Sequence, residues 1–337
     1  MENLTYLYGK PTATGQYKQH NSDFVVQEDL GYLPDGEGEH VFVEIRKEGY
    51  NTQFVAEQLA KFANIHPRNV SYAGLKDRNA VTQQWFGLHI PGKITPDFSQ
   101  FKLDNCEVLS FKRHSKKLRI GNLKGNLFKL VIREIDKKQE VENKLSQIKI
   151  SGVPNYFGEQ RFGHDNNNLI QAEKWAKGEI NVKDRKKRSF YLSAARSAIF
   201  NKIVSERIND NLFKTVLNGD ILQLTGRGSW FVANQDELET LQNRVNQDEL
   251  TITAPMIGDN ELGTQLNALE YESNLVNEYG AHFIEFFKRE RVATARRAMQ
   301  LMPLNMIWSW QDDATLNLEF WLSAGSYATT VLREIII

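Results

Sequence analysis

A lone carboxylate, Asp77, stands between two cations, Lys76 and Arg78, in the stretch Ser71 to Trp85, SYAGLKDRNAVTQQW. Nearby positive charge favours the ionised form of a carboxylate, the form that attacks an electrophilic carbon or takes up a proton. Gly74, shortly before it, permits backbone torsions that a side chain would forbid. Gln83, Gln84 and Trp85 offer amides and an indole to a planar, hydrogen-bonding substrate. Taken by themselves, a Lys-Asp-Arg triplet and its neighbours read as a solvated turn.

Two basic clusters are the other candidates for chemistry. Lys112, Arg113, Lys116, Lys117 and Arg119 surround His114, and KDRKKR at 183–188 brings Lys186, Lys187 and Arg188 up to the apolar pattern of SFYLSAARSAIFNKIV. There Leu192, Ala195, Ile199 and Ile203 trace a helix with Ser189 as the expected cap, and a basic helix start suits a phosphate. Each cluster reads either as solvated surface or as a set of phosphate contacts. The 42 Lys and Arg balance 42 Asp and Glu, so a polyanion would be held by local patches and not by the overall field.

Several classes are disfavoured. A single cysteine, Cys106, cannot form an intramolecular disulfide, and no Cys/His spacing suggests a zinc site. The glycines of GDILQLTGRGSWFV do not match a nucleotide-binding fingerprint. MENLTYLYGK has no basic region followed by an apolar run, and no uncharged stretch is long enough to cross a bilayer. A cytoplasmic protein without metal, cofactor or obligate protein partner is expected.

The elements that would position these residues follow from periodicity. DFVVQE at 23–28 and HVFVEI at 40–45 read as neighbouring strands, joined by the turn-rich acidic loop GYLPDGEG. Val55, Leu59 and Phe62 recur at helical spacing behind an Asn51 cap, and Trp85 to Ile90 reads as a strand. In GNLFKLVIR, Asn126, Phe128, Leu130 and Ile132 share one strand face. Phe128 suits plain core packing, while Asn126 beside it makes the face mixed, as a pocket floor would be. Val141, Leu145 and Ile148 mark another helix. The glycines and Pro154 of SGVPNYFGEQRFG mark a candidate domain junction, and 337 residues suit about two domains. Beyond it we expect a solvent-facing acidic stretch at 236–249, a helix over 278–300, a strand over 316–322 and a helix from near Tyr327.

Six separated segments, DFVVQE, GLKDRNAVTQQW, GNLFKLVIR, NYFGEQRFG, RSFYLSAARSAIFN and GSYATTVLRE, resemble the TruD family of tRNA pseudouridine synthases, in the family's order and through nearly the whole chain. The resemblance implies an α/β fold: a pseudouridine-synthase catalytic domain with a mixed, largely antiparallel sheet over 1–151 and 302–337, interrupted by the family's inserted α/β domain over 152–301. It puts the family's catalytic aspartate on Asp77 and its substrate contacts on Phe24, Asn126 and Tyr327, with Lys18 and Phe128 matching further active-site positions. Phe128 would take the place of the tyrosine that other pseudouridine synthases stack on the target base. Ser323 departs from the proline common among relatives. The implied reaction isomerises a uridine of tRNA, position 13 in the D-stem region, with no cofactor. Asp77 would attack the ribose or the base, or remove a sugar proton. Lys18 is the candidate for holding it charged, whereas Lys76 and Arg78, as sequence neighbours, can point elsewhere. A non-catalytic RNA-binding protein on the same scaffold, or a hydrolase pairing Asp77 with Glu28 or Glu159, are the competing expectations.

Overall fold

The computed structural model describes residues 4–337. In chain order the strands are β1 (Gln16–Tyr17), β2 (Phe24–Asp29), β3 (His40–Glu48), β4 (Val70–Tyr72), β5 (Val81–His89), β6 (Cys106–His114) and β7 (Gly125–Arg133), then β8 (Val153–Pro154), β9 (Ile221–Leu224), β10 (Trp230–Val232), β11 (Leu250–Met256), β12 (Ala295–Ala298) and β13 (Gln300–Leu301), and finally β14 (Leu304–Trp310) and β15 (Leu316–Ser323). The helices are α1 (Thr52–Phe62), α2 (Lys138–Ser151), α3 (Asn167–Ala176), α4 (Arg185–Asn209), α5 (Leu238–Asn246), α6 (Leu266–Arg289) and α7 (Ala328–Arg333). Two compact units result. One comprises Thr12–Lys149, Pro303–Ala328 and Ile335–Ile337; the other comprises Ile150–Met302, Thr329–Glu334 and the N-terminal segment to Pro11. No helix of the described residues is long and apolar enough to cross a membrane.

The first unit is built on a nine-stranded sheet in the order β14-β15-β7-β2-β5-β3-β6, with β1 added to β7 and β4 to β5. Only the β2–β5 pair is parallel; all other pairs are antiparallel. Fold class therefore agrees with expectation, a mixed α/β protein with a mostly antiparallel sheet. β2 and β15 bury every second residue, as strands with one wet face do. β3 and β5 are buried on both faces over most of their length, which demands central positions. This is why β2 and β3 are not neighbours as expected: β5 lies between them, and the long 30–39 connection steps across it. On one face, α1 sets Val55, Leu59 and Ala60 against Val41, Val43, Ile45, Phe86 and Leu88. Full burial of Leu59 alone contributes about 2 kcal/mol. Asn51 caps the helix, its side chain accepting from the Phe54 amide at 2.8 Å. The opposite face is closed by Leu30, Phe42, Ala73, Trp85 and Leu118.

The second unit carries an antiparallel sheet ordered β10-β9-β11-β12 and the long helices α4 and α6. Three local expectations change here. α4 starts at Arg185, not near Ser189, because Asp184 is the cap and accepts from the Lys187 amide at 2.9 Å. The helix expected over 278–300 runs instead from Leu266 to Arg289, and the basic run after it turns to strand at β12. The reason is alternation: Arg296 reaches the buried Glu272, while Arg297 faces the other way, to Asn155 and the Phe157 ring. The acidic stretch 236–249 contains α5, which buries Leu241 and Val245 and so is only partly solvent-facing.

Candidate active site

Cross-strand register gathers the candidate residues on the α1 face of the large sheet. Along β2, Phe24, Val26 and Glu28 face Leu130, Phe128 and Asn126 of β7. Phe320 and Leu322 of β15 continue the rows beside Phe128 and Asn126. On the other side Val26 aligns with Thr82 of β5, and β3 sets Lys47 beside Thr82 and Ile45 beside Gln84. Paired residues project to the same side, so these side chains form one surface.

An aromatic wall occupies its middle. Phe24 meets Phe128 edge-on with ring centroids 6.2 Å apart, and Phe128 leans on Phe320 at 5.7 Å. Phe24 and Phe128 are 5% and 7% exposed, so each presents an edge and not a free face. Asn126 is half-buried, and its Oδ1 is buried without a hydrogen-bond partner among the described residues. An orphaned buried acceptor costs about 1–3 kcal/mol, which a donor on a bound ligand would recover.

Asp77 lies in the loop between β4 and β5, with its side chain one quarter exposed. Lys18 Nζ reaches its Oδ2 at 2.5 Å and stands 4.2 Å above the Phe24 ring. Lys18 adopts φ +64, a left-handed backbone that is strained for a side-chain-bearing residue. The two sequence neighbours of Asp77 turn away. Lys76 pairs with the fully buried Glu28 at 2.8 Å, and Arg78 Nε donates to the Gly49 carbonyl at 3.0 Å. Tyr327 is half-buried in the turn from β15 into α7, at the end of the sheet where Leu322 pairs with Asn126.

The Gln-Gln-Trp group differs from expectation. Gln84 is fully buried, and Trp85 packs in the core of the opposite face, so neither is presented to a ligand. Gln84 instead supports the loop from below. Lys47, which sequence reasoning missed, does so too: it is buried, and its Nζ donates to the carbonyls of Tyr50 at 2.8 Å and Asp77 at 3.4 Å. Its alternation within HVFVEIRKE was a visible signal, since period two places Lys47 on the inward face with Val43 and Ile45.

Burial pushes the Lys47 ammonium down to about 8, against the raising influence of Cys106 and Asp77 and with a further lowering from Lys76. Below pH 8 the folded and unfolded chains both carry the proton and the burial penalty is present in full. Between about 8 and 10.5 the unfolded chain holds more protons, so this group adds stability as pH rises, on the order of 3 kcal/mol in total. Unfolding of wild type and Lys47→Met compared at pH 7 and pH 10 should show the wild type gaining relative to the variant; parallel behaviour would mean Lys47 is not strained by burial.

Of the basic clusters, Lys112, Lys116, Lys117 and Arg119 are exposed. Arg113 is not available: it donates to Thr95 Oγ1 and to the carbonyls of Gly38 and Ile94, each at 2.8 Å. In the second unit Lys186 and Lys187 are exposed at the start of α4. Arg188 pairs with Glu290 and lies 4.8 Å over the Trp175 ring, so it is held within its own unit. No cluster of three or more potential metal ligands occurs among the described residues.

Comparison with known proteins adds two findings. The family described as tRNA pseudouridine synthase D (TruD) matches residues 1–180 and 166–335. A crystal structure from Methanosarcina mazei assigned to tRNA pseudouridine synthase D superimposes with a TM-score of 0.75 at 22% identity, over 98% of this chain and 95% of that one. At that identity the structural likeness speaks to the fold alone.

Proposed function

Because the chain belongs to the tRNA pseudouridine synthase D (TruD) family, we propose that it isomerises uridine 13 of tRNA with Asp77 as the reacting carboxylate. The bond between N1 and the ribose breaks, the uracil turns, C5 takes N1's place, the C5 proton leaves and N1 gains one. Atoms and electrons balance within the nucleotide, so the reaction class needs no group donor or oxidant. Asp77 acts at the sugar or base as nucleophile or general base. What supports this most is the Lys18–Asp77 pair, partly open to solvent, set beside an aromatic wall and an amide whose acceptor is unused.

A uridine stacked in folded tRNA must be flipped out to meet that carboxylate, at a few kcal/mol. Phe24 and Phe128 offset part of this by packing their exposed edges against the base, with Tyr327 as a third contact. Asn126 Oδ1 accepts from the uracil N3–H, and its amide nitrogen donates to a ring carbonyl. Lys112, Lys116, Lys117, Arg119, Lys186 and Lys187 supply phosphate contacts, which position RNA without specifying sequence. A hydrolase would need a second carboxylate across the sugar. Glu28 serves poorly, since it is buried, paired with Lys76 and accepting from the Trp85 amide.

Incubating purified protein with tRNA and mapping pseudouridine tests the proposal, with a new site at position 13 expected. Release of free uracil would favour the hydrolase, and bound but unmodified tRNA the binding protein. Within this scheme Phe128→Ala should lower turnover by about tenfold, the loss of one base-aromatic contact, and Phe128→Tyr by much less. Equal losses in both would remove the aromatic contact from the scheme.

A further inference from the structure

The loop that carries Asp77 is fixed by a buried relay of uncharged groups. The Lys76 amide donates to Thr52 Oγ1 at 2.9 Å, the Thr52 hydroxyl faces Gln84 Oε1 at 2.9 Å, and Gln84 Nε2 donates to the Gly74 carbonyl at 2.6 Å. Thr52 is 1% exposed and Gln84 fully buried. The donors and acceptors allow one arrangement. Nε2 must face the Gly74 carbonyl, which only accepts, so Oε1 faces Thr52 and takes the hydroxyl proton, leaving Thr52 lone pairs for the Lys76 amide. The relay thus closes on the backbone at 74 and 76, the two residues that set where 77 begins. Below it, α1 and β5 are core elements of the large sheet unit.

Resting on the assignment of Asp77 as the reacting group, we propose that Thr52 and Gln84 are positioning residues for catalysis: they touch no substrate and hold the Asp77 carboxylate in its reactive placement. A displacement of about 1 Å in a reacting group lowers turnover by about a hundredfold. Simple structural filling would not separate turnover from affinity, nor respond to the return of one hydroxyl or one proton.

The test uses the full chain and tRNA. Thr52→Val, of equal shape, is expected to reduce kcat by about a hundredfold with KM for tRNA within about threefold, and Thr52→Ser to stay within about fivefold of wild type. Should the valine variant fail to fold, Gln84→Glu decides. Its carboxylate opposes the Gly74 carbonyl when ionised, but once protonated it reproduces the amide's donor and acceptor. Its kcat relative to wild type should therefore rise at least about tenfold from pH 8 to pH 5.5. A Thr52→Val kcat within about threefold of wild type, a serine variant no better than valine, or a pH-independent Gln84→Glu ratio each overturns the proposal. If wild type itself makes no pseudouridine, the functional assignment fails, and the relay is judged by hydrogen exchange at the Lys76 amide. Exchange at least about tenfold faster in Thr52→Val supports it, and unchanged exchange overturns it.

Discussion

Asp77→Asn is expected to abolish pseudouridine formation, by about 10⁴-fold or more, while tRNA affinity stays within a few fold. The substitution keeps the shape of the side chain and removes only its capacity to attack or to take a proton. The Lys18 contact loses its charge but keeps an acceptor, since the asparagine carbonyl oxygen can still take the ammonium's hydrogen bond. The contacts that hold the loop, from Lys76, Arg78, Thr52, Gln84 and Lys47, do not run through the Asp77 carboxylate. Single-turnover assays alongside binding measurements separate the two readouts. A variant that still forms pseudouridine at a comparable rate would show that another group does the chemistry.

The largest expected effect on stability lies in the second unit, at Arg207 and Asp220. Both side chains are essentially inaccessible; the guanidinium donates to the two carboxylate oxygens at 3.2 and 2.5 Å and stands 5.1 Å over the Tyr271 ring. Asp220 also accepts from the Leu217 amide at 2.7 Å. Asp220→Ala leaves a buried cation without its counter-ion and should cost about 3–5 kcal/mol. Replacing both partners, Arg207→Met with Asp220→Leu, should recover much of that loss, since two charges then no longer need to be desolvated. By contrast, the exposed Lys288–Glu285 pair is worth a few tenths of a kcal/mol at most. Thermal unfolding of the full chain distinguishes these cases. A shift of less than about 2 °C for Asp220→Ala would mean that Arg207 finds another partner or water on its own.

Period and capping make much of the large sheet legible in the sequence. β7 reads directly from the alternation of Asn126, Phe128, Leu130 and Ile132, and α1 from Asn51 and the apolar spacing after it. Sheet order was not legible: that β5 separates β2 from β3 depends on which strands can be buried on both faces, a tertiary property. The end of α6 departs from the expectation for a related reason. A basic run has no helical period of its own, and pairing with β11 decides it as strand. Within the candidate site, Asp77, Lys18 and Asn126 stand out through a family likeness, whereas Lys47 and Thr52 lie outside every matching segment and Gln84, inside one, reads as a ligand contact and not as a buried support. Their importance lies in contacts across up to 32 residues of sequence, and a buried polar residue looks in sequence like an exposed one.

The placement of β15 bears on how the chain comes to be active during synthesis. β15 lies beside β7 and brings Phe320 to Phe128, yet it follows β7 by about 180 residues, with the whole of 150–302 made in between. At a ribosomal rate of about 5–20 residues per second, β7 waits roughly 10–40 s with one long edge unpaired. An open strand edge next to an uncovered phenylalanine is a template for pairing with other chains, and the exposed Lys129 on that strand is a charge that discourages it. The nascent chain therefore carries Asp77, Lys18 and Asn126, with Phe24 and Phe128, long before Phe320 arrives to complete the aromatic wall, and its period of greatest exposure to aggregation ends only when the last two strands dock.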